Sequence, residues 1–261
     1  MNHSRPGQLI SVLTPCLNAV TYLPRAIESV RSQQYGNWEH IVVDGGSTDG
    51  TKQFLEGSQH IRWISERDHG QSNAMNKAFA LAQGDIIVYL NADDELAPGA
   101  LGLVADHFAD HPEAAMVVGD LRQELGAEVH VHRPSLEYSD ILAYWKFLFP
   151  LNPACYYYRR KVQKMVGPFP DEESLTMDYW FLLRALERFR TDRLPIVLGT
   201  YHYHGANKAR DINEARVHLD RTLRRFLAQR VSLGFVLRHR RFLLEYGRHR
   251  WSHGHAPSPV R

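Results

Sequence analysis

Short apolar runs recur along the first half of the chain, and segments with helical spacing separate them. The runs near residues 9–14, 39–43, 61–65 and 86–90 predict four strands, because each is short and rich in apolar, branched side chains. Strands that are apolar throughout are typical of parallel sheets covered by helices. The pattern therefore predicts an α/β domain with a mostly parallel sheet and helices on both faces.

The rest of the chain is less regular. A strand at 115–118 continues the alternation, and residues 133–160 are aromatic-rich without a clear period. Residues 177–188 predict an amphipathic helix, and residues 194–204 predict a strand that becomes polar at its end. The spacing over residues 213–253 predicts two further helices.

Composition narrows the class of protein. The 261 residues are 44% hydrophobic, which is enough for a core, and the net charge of +2 gives no signal for nucleic acid. The two cysteines, Cys16 and Cys155, predict no disulfide framework or cysteine zinc site and fit a reducing compartment. The polar N-terminus and the lack of an apolar run of about 18 residues predict a cytoplasmic protein, or one attached to the inner face of the plasma membrane.

A polar cluster follows the fourth predicted strand directly. Asn91, Asp93 and Asp94 come within a few residues of the apolar run that ends at Leu90. Carboxylate and amide oxygens are the hard ligands that Mg²⁺ or Mn²⁺ prefers, and ligands of open α/β sheets bind at this end of the strands. A solvated turn explains the same residues equally well on this segment alone.

Three more polar clusters follow the other predicted strands, at residues 14–18, 44–50 and 66–73. In a parallel sheet all four clusters lie at one edge and converge on one crevice. The glycines at 45, 46 and 50 do not form a dinucleotide fingerprint, and the chain has no phosphate-binding P-loop motif. Ser47 and Asp49 fit a helix-capping turn, which leaves Asp44 free to contact a base or ribose.

These four motifs, taken in order, resemble those of family 2 glycosyltransferases with the GT-A fold, a Rossmann-like nucleotide-diphospho-sugar transferase fold. The resemblance covers about residues 8–205 and rests on the segments Thr14–Asn18, Val42–Thr51, Asp68–Lys77 and Gly84–Asp94. It implies a nucleotide-diphosphate sugar donor, a Mn²⁺ or Mg²⁺ ion and an inverting transfer. We therefore expect a GT-A domain over residues 1–210, and the residues beyond it, which depart from the family's core, predict a basic amphipathic helical tail over residues 211–261.

The resemblance assigns the donor site residue by residue. It places Pro15 and Asn18 in the nucleotide pocket, Asp44 at the base, and Asp68 with Gly70 beside the base and ribose. The full set expected to contact the donor is Thr14, Pro15, Asn18, Asp44, Asp68, Gly70, Asn91 and Lys208. A solvated lysine at position 208 is an equally good interpretation.

The resemblance also assigns the metal. Asn91-Ala92-Asp93 occupies the family's D-x-D position, and Asn91 replaces its first acid. We therefore expect Asp93 to be the main metal ligand with Asp94 as a helper, while Asn91 contacts ribose or a sugar hydroxyl. His204 matches a histidine that completes the metal or diphosphate site, and His202 lies on the same face of the strand. A structural role for His204 is the alternative that the sequence leaves open.

An inverting transfer needs a carboxylate that removes the acceptor's proton. Asp178, at the start of the helix predicted over residues 177–188, matches the family's catalytic acid, although Met177 replaces the glutamate that usually precedes it. Without the resemblance, Asp178 is simply an acid favoured by the helix dipole. The alternative acids, which fit a solvated loop better, are Asp171, Glu172 and Glu173.

The tail is strongly basic. Only Glu214, Asp220 and Glu245 are acidic beyond residue 213, against eleven arginines at 216, 221, 224, 225, 230, 238, 240, 241, 248, 250 and 261. Apolar residues interleave with the arginines, as in helices that bind anionic membrane surfaces. A helical pair packed on the domain is the alternative, and it is favoured for the first helix.

The sequence thus predicts a metal-dependent, inverting glycosyltransferase that adds one sugar to a glycan or lipid-linked acceptor in cell-surface polysaccharide biosynthesis. The donor is a UDP-, GDP- or dTDP-sugar. The Gln-x-x-Arg-Trp motif of processive synthases is absent, and Thr14–Leu17 lacks the glycine-rich loop of a nucleotidyltransferase. The alternative is an inert module that binds nucleotide sugar or glycan, which only Asn91 and Met177 favour.

Overall fold

The computed structural model describes residues 7–253 except 174, 209, 210 and 231. Arg261 and the predicted domain boundary at residue 210 lie outside the described residues. Nine strands occur in the described part of the chain: β1 Ile10–Cys16, β2 Trp38–Asp44, β3 Arg62–Ser65, β4 Ile86–Tyr89, β5 Glu95–Leu96, β6 Met116–Leu125, β7 Glu128–His132, β8 Tyr156–Arg159 and β9 Thr191–Tyr203.

Helices connect the strands and form the C-terminal end of the described chain. The α-helices are α1 Leu23–Arg31, α2 Thr51–Glu56, α3 Gln71–Leu81, α4 Ala100–Asp110, α5 Tyr138–Leu142, α6 Arg160–Val166, α7 Met177–Arg188, α8 Ile212–Arg230, α9 Leu233–Arg238 and α10 Arg240–His253. Short 3-10 helices cover Tyr144–Lys146, Pro153–Cys155 and Asp171–Glu173. No helix of the described residues is long and apolar enough to cross a membrane.

All nine strands belong to one sheet in the order β3-β2-β1-β4-β8-β6-β9-β5, with β7 paired to the free part of β6. β1 pairs in parallel with β2 and β4, and β2 with β3. β8 is antiparallel to both β4 and β6, so β6 and its parallel neighbour β9 run in the same direction as β1. The carboxyl ends of β1, β2, β3, β4 and β9 therefore meet at one edge.

β1 and β4 are buried on both faces because helices cover both. Val12 and Val88 belong to the core layer beneath α1 and α4, whereas Leu13 and Tyr89 belong to the layer beneath α3, α7 and α8. These four side chains have no exposed surface. Burying such a side chain contributes about 1.5–3 kcal/mol to folding. The prediction of a mostly parallel sheet flanked by helices, with a C-terminal helical appendage, is confirmed.

Three local predictions were wrong. α2 begins after Gly50, whose φ of +101° suits glycine, and Ser47 instead hydrogen-bonds Asp44. The aromatic stretch contains strand β8, which lies in the middle of the sheet. The tail has three helices in its described part rather than two, because His239 interrupts the helical conformation between α9 and α10.

Candidate active site

One cavity of about 480 Å³ opens at the edge where the parallel strands end. The loops after β1, β4 and β9, the turn before α3 and the start of α7 line it. The predicted site residues that line it are Pro15, Asn18, Asp68, Gly70, Asn91, Asp93, Asp178, His204 and Lys208. The expectation that separate polar clusters converge on one crevice therefore agrees with the structure for these nine residues.

Asp93 lies at the centre of a polar group in this cavity. Its Oδ2 accepts a hydrogen bond from Asn207 Nδ2 at 3.0 Å and lies 3.1 Å from His204 Nε2. The ring of Tyr22 stacks on the His204 imidazole with centroids 4.3 Å apart, which holds the imidazole toward the cavity. The loop after β9 therefore brings two side chains to the carboxylate at the end of β4.

Asp94 has a different environment from its neighbour. Its side chain is buried, and its Oδ2 accepts hydrogen bonds from Asn152 Nδ2 at 2.7 Å and Asn91 Nδ2 at 2.9 Å. Its Oδ1 accepts a bond from the His202 backbone N–H at 3.3 Å. Burial and the charge of Asp93 raise the pKa of Asp94. Asp94 thus ties three segments together, and its role as a metal helper stays a prediction.

Gln71, in the first turn of α3, connects two other predicted residues. Its Nε2 donates to Asn91 Oδ1 at 3.1 Å, and its Oε1 accepts a hydrogen bond from Lys208 Nζ at 3.0 Å. The side-chain amide of Asn91 therefore contacts Gln71 through its oxygen and Asp94 through its nitrogen. Lys208 extends along the cavity wall and places a positive charge there.

The loops after β1 and β2 hold each other in place. The backbone N–H of Asn18 donates to Ser47 Oγ at 2.6 Å, and Asn18 Oδ1 accepts from the Thr48 N–H at 2.9 Å. Asp68 Oδ1 accepts a bond from the Gly70 N–H at 2.8 Å. A Cβ atom on Gly45 would lie 2.4 Å from Asp68 Oδ2, so only glycine leaves room for this carboxylate.

Thr14 and Asp44 lie behind the cavity rather than on its surface. Thr14 is buried, and its Oγ1 lies 2.9 Å from Nε2 of the buried His40. Asp44 is also buried, and its Oδ2 accepts hydrogen bonds from Ser65 Oγ at 2.6 Å and from the Ser47 N–H at 3.1 Å. Both side chains thus join strand ends. Neither lines the cavity, so the structure gives no support to their predicted contact with the donor.

Asp178 stands in the first turn of α7 and faces the cavity beside Met177. Its Oδ1 accepts a hydrogen bond from Tyr156 Oη at 3.3 Å. Burial raises the pKa of Asp178 to about 6, and the bond from Tyr156 partly offsets that rise. The alternative acids Asp171 and Glu172 are exposed and lie outside the lining. Of Asp171, Glu172 and Asp178, it is therefore Asp178 that a substrate in the cavity can reach, and the side chain of Glu173 lies outside the described part of the chain.

His202 does not reach the cavity. Its Nε2 lies 2.7 Å from Glu95 Oε1, and its Nδ1 lies 3.1 Å from Glu124 Oε2. The two carboxylates hold the ring away from Asp93, so His204 is the histidine of the pair that belongs to the site.

Four residues of the site or its support were not predicted: Gln71, Asn152, Tyr156 and Asn207. Gln71 lies inside the polar cluster at residues 66–73, and Asn207 lies between the predicted residues His204 and Lys208. Their positions in the sequence could therefore have identified them as site residues. Asn152 and Tyr156 lie in the aromatic stretch, where nothing distinguished them from core residues. They reach the site because β8 runs antiparallel and begins at the edge where the parallel strands end.

The donor atoms at Asp93 fit a divalent ion that shares its coordination with a substrate. No group of three or more His, Cys, Asp or Glu side chains in the described residues is arranged to hold a metal by itself. Mg²⁺ usually binds through one or two carboxylates plus substrate phosphates. Asp93 supplies one carboxylate of that incomplete set, His204 Nε2 offers a nitrogen ligand beside it, and a diphosphate would supply the remaining oxygens.

Comparison with known proteins agrees with this architecture. The model of the family described as glycosyl transferase family 2 matches residues 11–169. A PGL/p-HBAD biosynthesis glycosyltransferase of Mycobacterium bovis is 28% identical over 208 residues, which cover 76% of this chain and 78% of that protein.

Solved structures share the fold at lower sequence identity. S. aureus TarS 1–349 in complex with UDP has a TM-score of 0.63 at 20% identity over 82% of this chain, which spans only 64% of that TarS chain. Glucosyl-3-phosphoglycerate synthase from Mycobacterium tuberculosis, in complex with Mn²⁺, UDP and phosphoglyceric acid, has a TM-score of 0.61 at 20% identity, covering 85% of this chain and 78% of that one.

The fold is thus that of the GT-A glycosyltransferases. The chain belongs to glycosyl transferase family 2 and is a glycosyltransferase.

Proposed function

We propose that this glycosyltransferase transfers one sugar, with inversion, from a nucleotide-diphosphate donor to a hydroxyl of a glycan or lipid-linked acceptor, using Mn²⁺ or Mg²⁺. The biosynthesis of a cell-surface polysaccharide is the setting that we infer. The observation that carries the proposal is that one cavity contains Asp93 with His204 and Asn207 as well as Asp178, the carboxylate with a raised pKa.

The donor's nucleotide fits the part of the cavity formed by the loops after β1 and β3. Pro15, Asn18, Asp68 and Gly70 line this part, and backbone groups near residue 70 are open because glycine, which suits the φ of +117° there, has no side chain. UDP is bound in the similar TarS structure, which supports a nucleotide in this cavity. Asp44 acts by holding the strand ends that shape the pocket.

The diphosphate fits next to Asp93, His204 and Lys208. A divalent ion bound there would neutralise the charge that develops on the leaving diphosphate. Asp93 and His204 would hold the ion, and the ammonium group of Lys208 would lie close enough to share the phosphate charge. Asn207 keeps the Asp93 carboxylate oriented through its 3.0 Å hydrogen bond.

Asp178 takes the proton of the acceptor hydroxyl. A carboxylate whose pKa is about 6 is ionised at neutral pH and is a stronger base than an ordinary aspartate. Tyr156 fixes its Oδ1 and leaves Oδ2 for the acceptor. Proton removal makes the acceptor oxygen a nucleophile at the anomeric carbon, and the bond from that carbon to the diphosphate breaks as the new bond forms.

A panel of UDP-, GDP- and dTDP-sugars tests the proposal. One nucleotide class should raise the melting temperature in the presence of Mn²⁺ and should lose this effect in EDTA. A donor at a hundred times its dissociation constant stabilises the fold by about 2.7 kcal/mol. Release of free nucleotide, with or without an added acceptor, then separates an enzyme from the inert binding module. Stabilisation by no member of the panel contradicts the proposed donor site.

A further inference from the structure

The outer face of the last two helices exposes large apolar side chains. Leu233, Leu237, Leu244 and Trp251 are exposed by 76%, 65%, 65% and 88%. Single exposed apolar residues need no explanation, but four within the two short helices α9 and α10 form a patch. We call this outer face the tail surface. It consists of these four apolar residues and of Arg238, Arg240, Arg241 and Arg248.

The inner face of the same helices is already packed. Phe235, Phe242 and Tyr246 are buried, and Tyr246 Oη donates to Asp220 Oδ1 at 2.7 Å. The ring of Trp145 stacks on His249 with centroids 4.5 Å apart. The helices are therefore anchored to the domain, and the tail surface is the side that faces away from it.

Three arginines of the tail surface line a second cavity, of about 530 Å³. Arg238, Arg240 and Arg241 line it together with Leu237, and Ser139 and Lys146 of the domain border it, so the cavity lies at the rim where the tail surface meets the domain. The acid in its lining, Glu245, pairs with Lys146 at 3.1 Å and so does not neutralise the arginines. Among the described residues, no carboxylate forms an ion pair with any of these three arginines.

Within α10, the apolar and basic positions share one side of the helix. Leu244, Arg248 and Trp251 are spaced by four and three residues, which places them on the same face. The long arginine side chains can extend past the apolar groups to reach phosphates. By contrast, the apolar residues Leu223 and Phe226 of α8 are buried in the core, so α8 is anchored rather than exposed.

We propose that the tail surface docks on an anionic phospholipid bilayer. The arginine cavity receives phosphate headgroups, while Leu237, Leu244 and Trp251 enter the boundary of the acyl chains. Uncompensated cations beside exposed apolar groups match a surface that is anionic outside and apolar beneath. The inference is separate from the donor site and holds whichever sugar is transferred.

Sedimentation of the full chain with vesicles tests this docking. The chain should sediment with phosphatidylcholine vesicles that contain phosphatidylglycerol and should remain in solution with pure phosphatidylcholine. Arg240→Glu/Arg241→Glu should weaken the binding by more than about tenfold, because each cation near an anionic surface contributes about a factor of five. Leu237→Gln/Leu244→Gln should weaken it by about tenfold without changing the charge.

A matched control reverses two exposed lysines of α6, with Lys161→Glu/Lys164→Glu. This control should bind the vesicles like the wild type, and equal loss in the control would overturn the proposal by reducing it to net charge. Equal sedimentation with both kinds of vesicle would also overturn it. A concentration-dependent dimer that Leu237→Gln/Leu244→Gln abolishes, without vesicle binding, would assign the surface to a second copy instead.

Donor binding in solution, measured on the same variants, keeps this inference distinct from the proposed function. All three double variants should be stabilised by the donor as the wild type is. Vesicle binding without any donor binding would leave the docking proposal standing and contradict only the sugar transfer.

Discussion

The two walls of the active-site cavity are built in different ways. The first wall, from residues 15–93, consists of turns that directly follow β1, β3 and β4. The second wall, from residues 151–208, consists of a segment before an antiparallel strand, the first turn of α7 and the loop after β9. A strand and its following turn are local features, whereas the second wall depends on how distant elements pack.

The contacts that complete the site cross between these walls. Asp94 is held by Asn152, which is 58 residues away in sequence, and Asp93 by His204 and Asn207, which are 111 and 114 residues away. The first wall therefore supplies Asp93 and Asp94, and the second wall positions them and contributes Asp178. Variants on each wall should show whether this division extends to function.

The largest effect should come from Asp93→Ala. Under the proposed function, loss of the carboxylate removes the main ligand of an ion that would supply several kcal/mol of transition-state stabilisation, so the transfer rate should fall about a thousandfold or more. Isothermal titration with the donor and Mn²⁺ should show that metal-dependent binding is lost as well. Asp106→Ala, an exposed acid on α4, is the control that should change neither. Unchanged Mn²⁺ dependence in Asp93→Ala would contradict its role.

Asp178→Asn tests the second wall. The transfer rate should fall by about 10² to 10⁴, the usual contribution of a general base, while donor binding measured by titration survives. Asp171→Asn, on the exposed 3-10 helix, should keep its activity. Equal loss of donor binding and transfer would place Asp178 in the donor site or the fold rather than at the acceptor.

The same variant should be more stable than the wild type at neutral pH. Because burial raises the folded-state pKa of Asp178 to about 6, its ionisation costs the folded state stability as the pH rises from about 4 through 6. Asparagine avoids that cost, so the free energy of unfolding at pH 7 should rise by up to about 3 kcal/mol. Thermal unfolding of both proteins at pH 7 and at pH 4 measures the difference, which should vanish at the lower pH.

The rate of the wild type should follow the ionisation of Asp178. Below pH 6 the carboxyl is protonated and cannot accept the acceptor's proton, so kcat/KM should fall about tenfold for each further pH unit. Above pH 6 the profile should level off until another group titrates. A profile measured at saturating Mn²⁺ that stays flat down to pH 5 would exclude Asp178 as the base.

The smallest effect on chemistry, but a clear one on stability, should come from Asn152→Ala. The change removes a 2.7 Å hydrogen bond to the buried Asp94 carboxylate and a 2.9 Å bond from the Ala154 N–H to Asn152 Oδ1, so the free energy of unfolding should fall by about 2–4 kcal/mol. Donor binding should weaken less than in Asp93→Ala. Asp94 does not line the cavity, and it affects the donor only by holding the loop that carries Asp93. Asn213→Ala, at an exposed position of α8, is the control for amide loss. Normal stability in Asn152→Ala would mean that the bond to Asp94 contributes little.

The sequence alone predicted most of the elements that form the first wall and fewer of those that form the second. Apolar runs and helical spacing predicted both ends of β1 to β4 to within two residues, because buried strands such as β1 and β4 leave a local apolar signal. β8 was missed because its three tyrosines read as part of an aromatic stretch rather than as a strand. Asn152 and Tyr156, which flank the start of β8, were missed for the same reason.

The sequence by itself determined strands β1 to β4, the polar clusters that follow them and the family to which the chain belongs. Only the tertiary structure decided what each polar residue does within a cluster. Asp93 and Asp94 are adjacent and chemically identical, yet Asp93 faces the cavity while Asp94 is buried among amide donors. Likewise Thr14 turns to His40 while Pro15 lines the cavity. Neighbouring side chains point in different directions. Their partners belong to elements that are distant in sequence, so only the folded structure shows which residues they contact.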